Sequence, residues 1–489
     1  MNRKKAEIIS LCLVCCMVSL AQDAPLSLDS CRALALRYNK NIYIADEEVK
    51  AARYERKAAF SNYLPKLSAG GAYLHNNKRI SLLTSGQHKS LQTIGDALHE
   101  GIGNVLKEMA TLLPQPGEAT ALLSSIDIAS PLNTLGSSIS EALAPDTRNI
   151  YVAAVTIRQP IFAGGRIIAY NKLTRHAENA SLSQKENKIQ EIIVLTEEAY
   201  WQIVSLANKR KLATALVSML EQLHSDVEKM KDEGVATQAD LLNVEVRLNE
   251  ARTALLQVEN GEMLARMYLC RICGLPIDYA PTLADENNEE LTGSREAINV
   301  NIQCAMQNRP ELKSLESLVE IFKQKTNIAR AEYLPVIGLT ANYMISNPSL
   351  TDGFRKRFRG MCSIGIVVNI PIWNWGEGIY KTAAAKAQTN IAKYTLADAR
   401  EMIELQVHQS EQRVSESEKR LILATSNVLK AEENLRTANI GFAEGVLTSE
   451  NVLEAQTAWL QAHSGKIDAQ IDVILSRLYL KKALGILKP

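Results

Sequence analysis

At 489 residues, with 55 basic and 54 acidic side chains and no basic block, the chain is close to neutral, which argues against a nucleic-acid partner. Its apolar residues make up 46% of the total, yet beyond residue 21 they never form the run of about 20 that a spanning helix needs. An exported chain of this kind that crosses a membrane does so as a closed β-barrel.

The chain opens as an export signal: basic Asn2-Arg3-Lys4-Lys5, an apolar stretch from Ile8 to Leu20, and Ser19-Leu20-Ala21 with small residues at both recognition positions. Cleavage after Ala21 is expected, which makes 1–21 a signal peptide. Leu11, Val14 and Cys15 precede Cys12, Cys15 and Cys16, and this spacing disfavours lipidation. Five cysteines then remain, an odd number that completes no disulfide framework.

The sequence from 22 to 275 reads as one structural repeat. Leu26-Ser-Leu-Asp-Ser-Cys-Arg-Ala-Leu-Ala-Leu starts a helix, capped by Ser27 or Asp29, that runs to about Asn62, before Pro65. The period then changes from helical to alternating, giving a strand pair at 66–74 and 149–159. The segment 75–148 between them is an inserted outer loop. Its Leu91, Ile94, Leu98, Ile102, Val105 and Met109 keep helical spacing, and Pro114 to Pro145 is rich in Pro, Ser and Gly. No proline occurs from 161 to 275, so a helix from about Gly165 to Lys231 would reach roughly 100 Å and must pack along other long helices. A turn and a second helix complete the repeat.

After a linker at 276–295 the plan recurs over 296–489. Tyr63-Leu64-Pro65 returns as Tyr333-Leu334-Pro335, 270 positions on. Pro160-Ile161-Phe162 and Glu233-Gly234-Val235-x-Thr237 return as Pro371-Ile372-Trp373 and Glu444-Gly445-Val446-x-Thr448, each 211 positions on. The second strand pair, 336–346 and 361–370, has one apolar row with Ile337, Leu339, Ile364, Ile366 and Val368, and these residues are expected to face lipid. Four strands close no barrel of useful bore, whereas three chains supply twelve.

These motifs, in this order on a duplicated chain, resemble those of the TolC-like outer-membrane efflux proteins, from about Leu26 to Leu487. The resemblance implies a mainly α fold with a membrane β-barrel. A homotrimer would share a twelve-stranded barrel, four strands per chain, above a tunnel of coiled-coil helices in the periplasm of a Gram-negative bacterium. It also implies the partners: outer-membrane lipid, a periplasmic adaptor and an inner-membrane pump of RND or ABC type. By position, the adaptor-docking turns are Gly234, Val235, Ala236 and Thr237 with Gly445, Val446, Leu447 and Thr448. The aperture maps to Asp240, Asn243, Asn451 and Glu454; the neutral Asn243 and Asn451 depart from the best-known members, as does Val446-Leu447 where some relatives carry a basic lock residue.

The residues themselves also support capping boxes, Thr237 with Asp240 and Thr448 with Asn451. Cys270-x-x-Cys273 has metal or redox spacing, but it sits in a helical segment without nearby His, so packed thiols are expected. Scattered histidines, a glycine stretch at Ala163-Gly164-Gly165-Arg166 without a phosphate-loop Lys, and no Gly-x-Ser-x-Gly give no support for an enzyme, a metal site or a cofactor. The competing class is an exported coiled-coil scaffold or adhesin without a pore, which would need no matched strand pairs.

Overall fold

The computed structural model describes residues 25–77, 95, 98–101, 104, 129–130, 148–288, 290–291, 298–352 and 355–487. The export signal and most of the 75–148 insertion, including nearly all of its apolar row, lie outside them.

The elements run α1 (Leu28–Tyr38), α2 (Lys40–Phe60), β1 (Lys66–His75), β2 (Asn149–Ala163), α3 (Arg166–Asp232), α4 (Gln238–Cys273), α5 (Ile302–Asn308), α6 (Pro310–Ala331), β3 (Val336–Asn347), β4 (Arg359–Asn369), α7 (Glu377–Ala443) and α8 (Ser449–Ala483). Helices α3 and α7 each have 67 residues. At 1.5 Å per residue each is about 100 Å long. The chain divides into two compact units: one holds Arg53–Ala177 and Val319–Ala392, the other the residues up to Ala52, Glu178–Leu318 and those from Lys393 onward.

The first unit carries a four-stranded antiparallel sheet in the order β1-β2-β3-β4. Strands from both repeats meet at its centre, where Val155 faces Tyr343 and Ile157 faces Ala341. Strand β4 starts at Arg359, two residues before the expected 361, because Arg359 and Gly360 pair with Ser346 and Ile345. The larger difference is at Pro160-Ile161-Phe162, beyond the strand end expected at 159. Strand β2 runs through it to Ala163, with Ile161 as an extra residue between the pairs Pro160–Gly338 and Phe162–Ile337. A bulge needs no ladder bond from the proline nitrogen, and a central strand has a neighbour to continue along. Pro371-Ile372-Trp373 follows edge strand β4 and is irregular.

In the helical unit, the single helix expected from Leu26 to Asn62 is broken. Ser27 caps α1 by accepting from Ser30 N at 3.2 Å. At Asn39 the backbone turns extended, with ψ 124°, and α2 begins at Lys40. Asn39 Nδ2 donates to the Ile272 carbonyl at 3.0 Å, and its Oδ1 accepts from Asn41 N at 2.9 Å. Arg309 breaks the second repeat at the matching position, with Nη1 donating to the Ala483 carbonyl at 3.3 Å. Each break thus satisfies a carbonyl at the end of the long hairpin, one of the groups a helix terminus leaves unpaired.

The cores follow the same duplication. Ala35, Ile42, Ile192, Leu269, Ile272 and Cys273 are buried in one cluster. Ala305, Leu312, Ile403, Leu480, Ala483 and Leu484 occupy the corresponding positions in another. Cys273 therefore fills the place of Leu484, a small apolar side chain at a packing position. Cys31, Cys270 and Cys273 are buried and free, and burial pushes the Cys270 thiol up. The linker is tied to the first core: Leu26 N donates to Thr282 O at 2.8 Å, Ala284 N to Leu26 O at 3.0 Å, and Tyr200 Oη to Asp285 at 2.7 Å.

Candidate functional site

Two surfaces stand out: the pair of turns that join the long helices, and the faces of the sheet.

Helix α3 ends in lysines, Lys229 and Lys231, which suit the negative end of its dipole. The chain then reverses at Gly234, φ +77°, with Val235 N and Ala236 N both donating to Met230 O, at 2.8 and 3.1 Å. The second turn repeats this bond for bond. Gly445 has φ +71°, and Val446 N and Leu447 N both donate to Gly441 O, at 2.8 and 3.0 Å. The left-handed glycine lets the last carbonyls find partners without a Cβ clash.

Capping boxes start the returning helices. Thr237 Oγ1 accepts from Asp240 N at 3.2 Å, while Thr237 N and Oγ1 donate to Asp240 Oδ2 at 2.9 and 2.6 Å. These bonds, the side-chain one first, hold the Asp240 carboxyl below the usual range. Thr448 N and Oγ1 donate to Asn451 Oδ1 at 3.1 and 2.9 Å. The two hairpins share one apolar core, in which Leu220, Val227, Leu241 and Val244 of the first repeat cluster with Leu435, Ala438, Val452 and Leu453 of the second. Both turns therefore lie at the same end of that core.

Of the four residues mapped to the aperture, Asp240 and Asn451 have a side-chain oxygen engaged in their own caps. Asn243 and Glu454, one turn further on, are exposed. At the apex Val235 and Val446 are 69% and 79% exposed, so each turn offers an apolar knob to solvent. One feature the sequence reading missed is an exchange of volume. Where the first turn has Met230 and Ala236, the second has Gly441 and Leu447, and Leu447 packs over Gly441, within 2.7 Å of where a Cβ would stand. The 211-residue offset held that signal, for anyone reading the mismatches as well as the matches.

In the sheet, register sorts the side chains by face. Leu67, Val155, Tyr343, Leu339 and Ala341 fall on one side with Ile364, Ile366 and Val368. Ile337 pairs with Val368 and belongs to the same row. Ile364, Ile366 and Val368 are 73%, 66% and 54% exposed, an apolar face that the other described residues leave open. The opposite face carries Lys66, Ser68, Thr156, Arg158, Asn342 and Ser363, with Thr156 Oγ1 donating to Asn342 Oδ1 at 3.1 Å. Among the described residues, strands β1 and β4 have no neighbour on their outer sides. No helix among the described residues is long and apolar enough to cross a membrane, and they contain no cluster able to hold a metal.

The sequence matches the profile of a family described as outer membrane efflux protein over residues 118–274 and 301–486. It is 24% identical over 341 residues to the alkaline protease secretion protein AprF of Pseudomonas aeruginosa, covering 69% of this chain and 70% of that one. Outer membrane protein TolC of Vibrio cholerae is 20% identical over 373 residues, covering 75% and 83%. The crystal structure of the Campylobacter jejuni CmeC outer membrane channel superposes with a TM-score of 0.72 at 13% identity, over 94% of this chain and 85% of that one.

Proposed function

Because the chain belongs to the outer membrane efflux protein family, and so is an outer-membrane exit duct reaching into the periplasm, we propose how its parts do this work. Three copies close their sheets edge to edge into a twelve-stranded barrel. The observation that carries this reading is the sheet: one apolar face, one polar face and two open edges. An open edge is untenable in lipid, and an apolar face of this size is untenable in water. Closure puts Ile337, Leu339, Ile364, Ile366 and Val368 against outer-membrane lipid and the Thr156–Asn342 side around a lumen.

The long helices continue the duct, and the paired turns at Gly234–Thr237 and Gly445–Thr448 dock a periplasmic adaptor through Val235 and Val446. An inner-membrane pump supplies the energy. Asn243 and Glu454, exposed just beyond the caps, line the aperture with Asp240 and Asn451. Transport agrees with the relatives, whose names describe secretion and outer-membrane roles.

The direct test is fractionation. The protein should partition with outer membranes as an SDS-resistant trimer that heat dissociates, and Ile366→Arg should destabilise it by roughly 2 to 4 kcal/mol. A monomer that leaves the membrane fraction in mild salt would instead favour the exported scaffold. For the docking surface, Gly445→Trp should assemble normally yet lose export, and normal export by that variant would remove the turn from the contact.

A further inference from the structure

The four strands of the sheet carry charge of one sign. Strands β1 to β4 contain Lys66, Arg158 and Arg359 and no carboxylate. All three cations fall on the polar face: Lys66 pairs with Arg158, Arg158 with Thr340, and Arg359 with Ser346 in the same ladders. Beyond the strands, the loop from β3 to β4 adds Arg355, Lys356 and Arg357 against one acid, Asp352. That acid is shared: it pairs with Arg357 and lies 3.7 Å from Arg359.

The pair near the helical end of the sheet is the informative one. Lys66 and Arg158 are directly opposite in register, a spacing of about 5 Å between Cβ atoms at which like charges repel. Neither has a carboxylate partner among the described residues. Lys66 Nζ donates only to the neutral Asn62 Oδ1, at 3.1 Å, and Arg158 Nε is buried without an acceptor. A purely structural pair would place opposite charges there. The acids that flank β3 and β4 on the sides joined to helices, Glu332 and Glu377, share Lys381 at 3.5 and 2.7 Å.

We infer that the polar face of the barrel is an anion filter, in which Lys66 and Arg158 hold the carboxylate or phosphate groups of solutes on their way out. The inference rests on the duct reading, which turns this face inward and repeats the pair three times around one lumen. Low-dielectric walls focus such a field and concentrate counter-ions between them. Arg158 supplies the planar fork that suits both groups, and Lys66 a mobile point charge.

Full-length protein in planar lipid bilayers under a potassium chloride gradient provides the test. Neutralising the pair with Lys66→Gln and Arg158→Gln should lower the chloride-to-potassium permeability ratio about threefold, while Arg158→Lys keeps most of it. Tripolyphosphate added from the barrel side should block the wild-type current, and hexaamminecobalt from that side should not. This arm needs no variant to assemble. An unchanged reversal potential in the neutral variants, or wild-type current indifferent to tripolyphosphate, overturns the filter and leaves the duct standing. Absence of any conductance overturns the duct and the filter with it.

Discussion

The turn at Gly234 and the turn at Gly445 share a backbone, yet they are built from different side chains. Their backbone hydrogen bonds correspond one for one, but Met230 and Ala236 in the first become Gly441 under Leu447 in the second, and the cap residue Asp240 becomes Asn451. The same holds at the opposite end of the hairpins. Gly274 and Gly485 both have positive φ, +70° and +67°, and both receive a broken helix, but one presses on Tyr38 and the other on Asn308 and Arg309. Duplication has thus preserved the positions where the backbone has no alternative and let volume and charge move between the rest.

The largest test of that division is at the helix breaks. A Cβ at Gly274 would stand 2.6 Å from Tyr38 Cβ and 3.1 Å from its carbonyl oxygen, in a conformation that already disfavours side chains. At Gly485 the nearest atoms, Arg309 N and the Asn308 C and Cβ atoms, are all at 3.1 Å. Gly274→Ala should therefore cost about 3 kcal/mol and Gly485→Ala about 1 to 2 kcal/mol, read as thermal stability of the purified protein. Equal costs would mean that the two seats are interchangeable and that φ alone matters.

A smaller effect separates volume from identity at the turns. Gly441→Met alone forces Leu447 off its seat, whereas Gly441→Met with Leu447→Ala transplants the first turn's pairing into the second. The double variant should be more stable than the sum of the single changes by about 1 kcal/mol, measured in a double-mutant cycle. A coupling near zero would show that Leu447 packs elsewhere and that the apparent exchange is accidental.

Much of this plan was legible because each element obeys one dominant constraint. The alternation from Ile364 to Val368 reports a sheet with one apolar face, and the absence of proline from 161 to 275 left α3 and α4 free to run. Thr237 and Asp240 announced their box by spacing alone. What escaped depends on partners far away in sequence. Nothing local breaks the chain at Asn39, where Lys40 is a good helix former; the break exists because the Ile272 carbonyl needs a donor. Its signal was there only by analogy, in Pro310 standing 270 positions after Lys40. Pro160 misled for the converse reason, since its missing N–H suggests a stop and only the neighbouring strand shows that a bulge absorbs it. At the candidate aperture, family position singled out all four residues, but only coordinates show that Asn243 and Glu454 stand exposed one turn beyond the capping pair.

The subtlest contrast is electrostatic. Asp240 has its pKa lowered by bonds from Thr237, so its capping contribution is complete above the unfolded-state value, about 3.9, and is lost as pH falls through the depressed folded value. Protonation turns an acceptor for Thr237 N into a weaker one, and the first turn loosens in acid. Asn451 makes the corresponding bonds with an amide that does not titrate, so the second turn should hold. A cap of this kind contributes about 0.5 to 1 kcal/mol, too little to shift global melting clearly but enough to alter local opening severalfold. Hydrogen exchange of the peptides around Thr237 and Thr448, corrected for intrinsic rates, should diverge below about pH 4, with protection lost only at the first. Asp240→Asn should abolish the divergence by making the first box a copy of the second. If protection at the first turn falls with pH in that variant as well, the sensitivity belongs to another carboxylate, and the two boxes differ in sequence but not in behaviour.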